Sequence, residues 1–187
     1  MIDKHARPTK LLWVDLEMTG LNPEVHRILE IAAFVTDFSL QRLPESEFHA
    51  IIHQPDEILD AASEVAKQMD ALNGLHEQVR TRGRPEHDVE QEFAAHIKRF
   101  FGGEAATLAG NSIHQDRRFI RQWWPEVEQL LHYRMLDVSS LKVYMHGKYG
   151  LTFDKKETHR AIDDIQESID EWQYYVSWLE AHGSQGS

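Results

Sequence analysis

The rhythm of hydrophobic and polar positions changes twice along this chain. At 10–16 the run KLLWVDL is short and almost wholly apolar, which predicts a buried strand. RILEIAAFVTDF at 27–38 predicts a second strand and EFHAIIH at 47–53 a third. The turn Thr19-Gly20-Leu21-Asn22-Pro23 and the short connections make these three an antiparallel meander. Helical spacing then takes over. Residues 56–79 are mainly helical with a break near Asn73-Gly74, and 81–85 is a basic loop marked by Gly and Pro. Phe93, Ile97 and Phe100 form one stripe of a helix over 89–101, which Gly102-Gly103 stops.

Beyond that point the two rhythms alternate. A short strand at 107–111 leads into a helix over 113–124, which Pro125 breaks. A fifth strand at 132–136 precedes a helix over 138–145 and a polar, basic loop at 147–157. The last helix, 159–179, carries apolar residues at Ile162, Ile165, Ile169, Trp172, Val176 and Leu179. No internal repeat or linker interrupts the pattern. It predicts a single α/β domain over 1–182, a mixed five-stranded sheet flanked by helices, and a frayed tail at 183–187.

Composition narrows the function. A chain of 187 residues buries roughly 70% of its surface on folding and needs no staple. Cysteine is absent, which excludes disulfides, thiolate catalysis and Cys-based zinc sites and fits a reducing compartment. The polar start at 1–10 lacks an apolar signal core, and no apolar run approaches the ~20 residues a membrane helix needs. The cytoplasm is the expected location. The net charge of −11 is poorly suited to tracking a long polyanion. A short anionic substrate remains compatible if bound cations and a few placed Arg or Lys residues offset the local charge.

The candidate chemistry is carboxylate chemistry. Asp15 and Glu17 lie two apart on a strand, so both point to one face, opposite Leu12, Val14 and Leu16. Such a pair is either a charged strand end or half of a divalent-cation site. Asp116 falls where a strand runs through a polar turn into a helix, a position that also suits N-terminal charge compensation. His159 and Asp164 open the last helix, and an imidazole there is able to take a proton from water. Asp164 flanks the apolar stripe at roughly 110° from its centre, whereas Asp163 lies roughly 150° away and faces solvent. Together, four carboxylates and a histidine suit hydrolysis at two cations ~3.5–4 Å apart, which hold the scissile phosphate and stabilise the leaving oxygen.

In this order, Asp15-Leu16-Glu17, then Asp116, then His159 to Asp164, the chain resembles the DEDDh exonucleases. It is most similar to the oligoribonuclease family, over nearly its whole length. The matching blocks are Trp13 to Leu21 (WVDLEMTGL), Gly110 to Phe119 (GNSIHQDRRF), His132 to Ser140 (HYRMLDVSS) and His159 to Ser168 (HRAIDDIQES). The resemblance implies a ribonuclease-H-like fold, a homodimer, and two divalent cations, Mg²⁺ or Mn²⁺. It implies 3′→5′ hydrolysis of very short RNA, dinucleotides above all, to nucleoside 5′-monophosphates. By motif, Asp15, Glu17, Asp116 and Asp164 would bind metal and His159 would be the general base. Leu21 would wedge against the bases, and Ser112, Arg134 and Ser139 would hold the 5′-phosphate. Tyr133 would reach into the partner subunit's site.

Two features depart from the family. Some relatives carry a base-capping tryptophan within the segment at 62–69; here Val65 is the nearest match. The loop at 147–157 also differs, and its Lys148, Lys155 and Lys156 read as a solvated basic surface. Trp123-Trp124-Pro125 reads as a core or dimer anchor, and His49 with His53 as surface residues rather than zinc ligands. The rival readings are an exonuclease of this group for longer RNA or DNA, and a non-catalytic nucleic-acid-binding module. Net acidity and the Tyr133-Arg134 block oppose the first, and the intact acidic set opposes the second.

Overall fold

The almost unbroken apolar runs of the first two strands require burial on both faces, and the sheet provides it. The structure is a computed structural model that describes residues 2, 7–154 and 161–182; the side chains of Asp70, Ala161 and Asp163 are not described. The strands are β1 (Lys10–Met18), β2 (Ile28–Asp37), β3 (Phe48–Ile51), β4 (Ala106–Gly110) and β5 (Leu131–Asp137). The helices are α1 (Asp56–Asp60), α2 (Glu64–Asn73), α3 (Leu75–Arg82), α4 (Glu86–Phe101), α5 (His114–Trp123), α6 (Pro125–Leu130), α7 (Val138–Tyr149) and α8 (Ala161–His182). The strands form one mixed sheet in the order β3-β2-β1-β4-β5. β1 runs antiparallel to β2 and parallel to β4, which is parallel to β5.

Strand parity divides the core. Leu12, Val14 and Leu16 join Phe93, Ile97, Phe119, Ile120 and Trp124 on the α4–α6 side. Leu11 and Trp13 join Val138, Ile165 and Ile169 on the α7–α8 side. Asp15 and Glu17 continue the parity of Leu11 and Trp13, so they emerge at the strand's end on the α8 side. Buried Trp13 satisfies its indole N–H by donating to Thr36 Oγ1 at 2.9 Å.

Several boundaries differ from the sequence expectation. Pro125 ends one helix and also opens another, as the first residue of α6, where its missing N–H costs nothing. α3 runs to Arg82 and absorbs the first part of the expected loop at 81–85. The buried stripe of α4 is Phe93, Ile97 and Phe101, while Phe100 is only partly buried against the same cluster. α7 passes through Gly147 to Tyr149 and ends at Gly150, whose φ of 67° is the left-handed C-terminal conformation glycine supplies. The expected basic loop is shorter accordingly, with Lys148 in α7 donating to Tyr144 Oη at 2.8 Å. Lys155 and Lys156 lie outside the described residues, as does the tail at 183–187. Trp124 is buried in the core. Among the described residues, no helix is long and apolar enough to cross a membrane.

Candidate active site

The end of β1 gathers the acids. Asp15 and Glu17 come from alternate positions of that strand, and Asp164 reaches them from the first turn of α8. One carboxylate oxygen from each lies within 4.8 Å of the others. Asp116, buried in the first turn of α5, is not in this grouping; its Oδ1 accepts the Leu16 backbone N–H at 3.0 Å. That bond fixes α5 against β1 one residue from each of Asp15 and Glu17. His159, the fifth member by motif, lies outside the described residues, and the side-chain direction expected for Asp163 does as well.

The electrostatics are one-sided. Burial pushes Asp15 well above the ordinary carboxylate range, and Asp116, Glu17, Asp164 and Glu30 push it further. Burial, then Glu30 and Asp164, raise Glu17 to about 7. Burial raises Asp116 to about 7 against the opposing bonds from the Leu16 and Asp116 N–H groups. Among the described residues, the charged groups that perturb Asp15 and Glu17 are carboxylates. Such a set repels itself unless cations enter it, and its hard oxygen donors fit a divalent cation of the Mg²⁺ class.

A second polar corner follows β4. Gly110 ends that strand so close to β1 that a Cβ would sit 2.9 Å from the Val14 carbonyl oxygen. Ser112 then adopts φ 50°, a left-handed conformation rare for a serine. Its N–H compensates by donating to both Asp137 Oδ1 and Ser139 Oγ at 3.0 Å. Asp137 also caps α7 by accepting the Ser139 N–H at 3.0 Å. The two serine hydroxyls stand 3.0 Å apart.

β5 presents the other expected substrate residues through a bulge. Ala106 pairs with Leu131 but Leu108 pairs with Met135, so two residues on β4 face four on β5. His132, Tyr133 and Arg134 are thereby released from the ladder. The buried Arg117 donates to the freed carbonyls of His132 (2.7 Å) and Tyr133 (3.2 Å) and pairs with Glu128 at 3.1 Å. Tyr133 and Arg134 project from this edge strand, with the guanidinium 5.1 Å from the Tyr133 ring centroid. Sequence reading missed Arg117; its one signal was a basic residue spaced to fall on the inner face of α5.

A cavity of about 370 Å³ opens beside Glu17. Met18, Leu21, Leu29, Val65, Ala66, Met69 and Leu75 supply its apolar wall, and no Trp, Tyr or Phe lines it. Leu21 stands exposed on its rim. The loop carrying Leu21 is seated on His26: a Cβ on Gly20 would lie 2.5 Å from that ring. Glu30 was also missed. It faces Glu17 across the β1–β2 ladder and bonds to His49 Nε2 at 2.5 Å. Its signal was a lone carboxylate inside the otherwise apolar ILEIAAFV.

The sheet and its carboxylate cluster define a class, a metal-dependent nuclease with a ribonuclease-H-like core. The family model described as an exonuclease, RNase T, matches residues 12–172. Oligoribonuclease from Neisseria meningitidis is 42% identical over 168 residues, covering 88% of this chain and 89% of its own. Oligoribonuclease from Francisella tularensis subsp. novicida is 42% identical over 166 residues, covering 88% and 93%. The chain belongs to the oligoribonuclease family of metal-dependent 3′→5′ exoribonucleases within that exonuclease group. Among solved structures, E. coli exonuclease I bound to single-stranded DNA superposes with a TM-score of 0.60 at 16% identity. It covers 94% of this chain, which spans 43% of the exonuclease I chain, and the likeness shows the fold.

Proposed function

We propose that this chain degrades the shortest RNA fragments, dinucleotides above all, to nucleoside 5′-monophosphates. Asp15, Glu17, Asp116 and Asp164 hold two divalent cations, Mg²⁺ or Mn²⁺, and His159 is the general base for the attacking water. Bound there, the cations supply Lewis-acid stabilisation of the scissile phosphate and the leaving oxygen. The observation that carries this reading is the three-acid cluster of Asp15, Glu17 and Asp164, whose oxygens lie within 4.8 Å of one another, with Asp15 and Glu17 pushed upward by burial and by neighbouring carboxylates. Leu21 and the apolar cavity receive the bases. Ser112, Ser139 and Arg134 receive the 5′-phosphate.

The same residues argue for a short substrate. Ser112 and Asp116 lie four residues apart across the turn that opens α5, so the proposed phosphate corner and a proposed metal-ligand position share one short segment. A substrate held at both has little room for more nucleotides, and longer chains are rejected by collision. The N. meningitidis and F. tularensis relatives bear the name oligoribonuclease, which agrees with this. Tyr133, exposed on an edge strand, enters the site of a second copy in a homodimer. The cytoplasm is the compartment, in keeping with the absence of cysteine. The test is hydrolysis of 5′-phosphorylated RNAs from 2 to 20 nucleotides, with Mg²⁺, with Mn²⁺ and with chelator. The rate should be highest on the 2-mer and absent with chelator; equal rates on the 2-mer and 20-mer remove the length reading.

A further inference from the structure

Glu171 is fully buried on α8, about two turns beyond Asp164. Burying a carboxylate is costly, and an apolar residue there would pack the core at least as well. Its contacts show what it holds. Oε1 accepts from Tyr175 Oη at 3.1 Å and pairs with Lys142 Nζ of α7 at 3.2 Å. Oε2 accepts from Asn111 Nδ2 at 3.3 Å.

Asn111 is the junction. Its Nδ2 also donates to Ser168 Oγ at 2.9 Å, and the Ser168 hydroxyl donates to the Asp164 carbonyl at 2.9 Å. Its Oδ1 accepts from Ser139 Oγ at 3.2 Å, and that hydroxyl oxygen accepts the Ser112 N–H. One amide therefore grips α8 with its nitrogen and the Ser112–Ser139 corner with its oxygen. The two halves of the proposed site sit on different elements, and this chain of bonds is a direct polar connection between them.

We propose that Asn111 is a positioning residue that locks the 5′-phosphate corner at Ser112 and Ser139 to α8 and so to Asp164, with Glu171 and Lys142 orienting its amide. This rests on the reading above that the corner meets a phosphate and Asp164 a cation. Asn111 touches neither. It fixes their separation, which is the length of the ruler.

The test uses the full-length chain, 5′-phosphorylated diadenylate and pentaadenylate, and a Mn²⁺ titration of the rate. Asn111→Ala should lower kcat/KM on the dinucleotide about 10–100-fold, the range for residues that orient metal ligands from behind. It should also raise the half-activating Mn²⁺ concentration and shrink the ratio of 2-mer to 5-mer rates. Asn111→Asp, which sets two carboxylates together, should be worse. Asn111→Asp combined with Glu171→Gln exchanges amide and acid and should recover most of that loss. A merely structural role would not move the Mn²⁺ midpoint. Wild-type kinetics in Asn111→Ala, or no rescue by the exchange, overturns the proposal. If Asn111→Ala fails to fold, Ser168→Ala removes the bond that leads from Asn111 to the Asp164 carbonyl, leaves the one to Glu171, and is read in the same way. A wild-type preference for the 20-mer would count against the short-substrate reading alone, and the Mn²⁺ midpoint would still decide whether Asn111 positions Asp164.

Discussion

Removing divalent cations should make this protein's stability fall as pH rises from 5 to 8. Glu17 is raised from 4.5 to about 7 in the folded state, by burial and then by Glu30 and Asp164. The folded state therefore holds a proton that the unfolded state releases between those values. A folded-state pKa above the unfolded one gives stability that is present below about 4.5 and is lost as pH climbs through about 7. For Glu17 alone the difference corresponds to roughly 3 kcal/mol. At about 2–4 °C per kcal/mol for a chain of this size, Tm should drop by roughly 6–12 °C. Asp116, raised from 3.8 to about 7, acts in the same direction. Saturating Mg²⁺ or Mn²⁺ pairs the charges, so the cation should raise Tm strongly at pH 8 and weakly at pH 5. Scanning calorimetry on metal-stripped protein, with and without cation, measures both. Glu17→Gln should flatten the slope and melt above wild type at pH 8 without metal, while losing hydrolysis. A metal-free Tm that is level across this range, or a cation effect equal at pH 5 and 8, would refute the reasoning.

Asp15→Asn should lower hydrolysis of the dinucleotide by at least about 10³-fold, the scale of losing a group that stabilises transition-state charge, with the circular dichroism spectrum unchanged. Arg117→Met strips the two bulge carbonyls of their donor and leaves Glu128 without its buried partner, so stability should fall by about 3 kcal/mol, read by urea denaturation. In the same variant KM should rise more for a 5′-phosphorylated dinucleotide than for its 5′-hydroxyl analogue, because Tyr133 and Arg134 lose their support; equal changes would remove Arg117 from substrate positioning.

The sequence was legible wherever one short rule decides the outcome. Strand parity alone put Asp15 and Glu17 on one face and Leu12, Val14 and Leu16 on the other, and the core clusters divide in that way. The angular offset of Asp164 from its helix stripe anticipated a side chain beside the core, and the structure brings it to Asp15 and Glu17. What was missed depends on register and on tertiary neighbours. Glu30 matters because it is ladder partner to Glu17, a fact set by the β1–β2 pairing and not by its own surroundings in the chain. The β5 bulge needs the four-against-two pairing with β4, which no local pattern encodes. On α8 the buried face includes Glu171 and Tyr175, two residues that an apolar stripe omits because one carries charge and the other a hydroxyl. Their burial is made tolerable by Lys142 and Asn111, which come from other elements.

These polar exceptions share a location, and that is informative about how the site is held. The carboxylates at the end of β1 repel one another, so packing energy elsewhere must keep β1, α5 and α8 in place. Each element has its own device: Asp116 accepts from Leu16 to pin α5, Asn111 and Glu171 pin α8, and Arg117 pins the bulge of β5. All three are hydrogen bonds to buried or half-buried polar groups, whose geometry is narrower than that of an apolar contact. Hydrophobic contacts would stabilise the same fold while allowing each element to slide by a fraction of an ångström. A cluster that must place several oxygens around small cations cannot tolerate that slack, because a misplacement near 1 Å is able to cost about 10²-fold in rate. The buried polar pins therefore serve the acid cluster, and the net charge of −11 is carried by a scaffold that concentrates some of its acids at the end of β1, where divalent cations are proposed to bind.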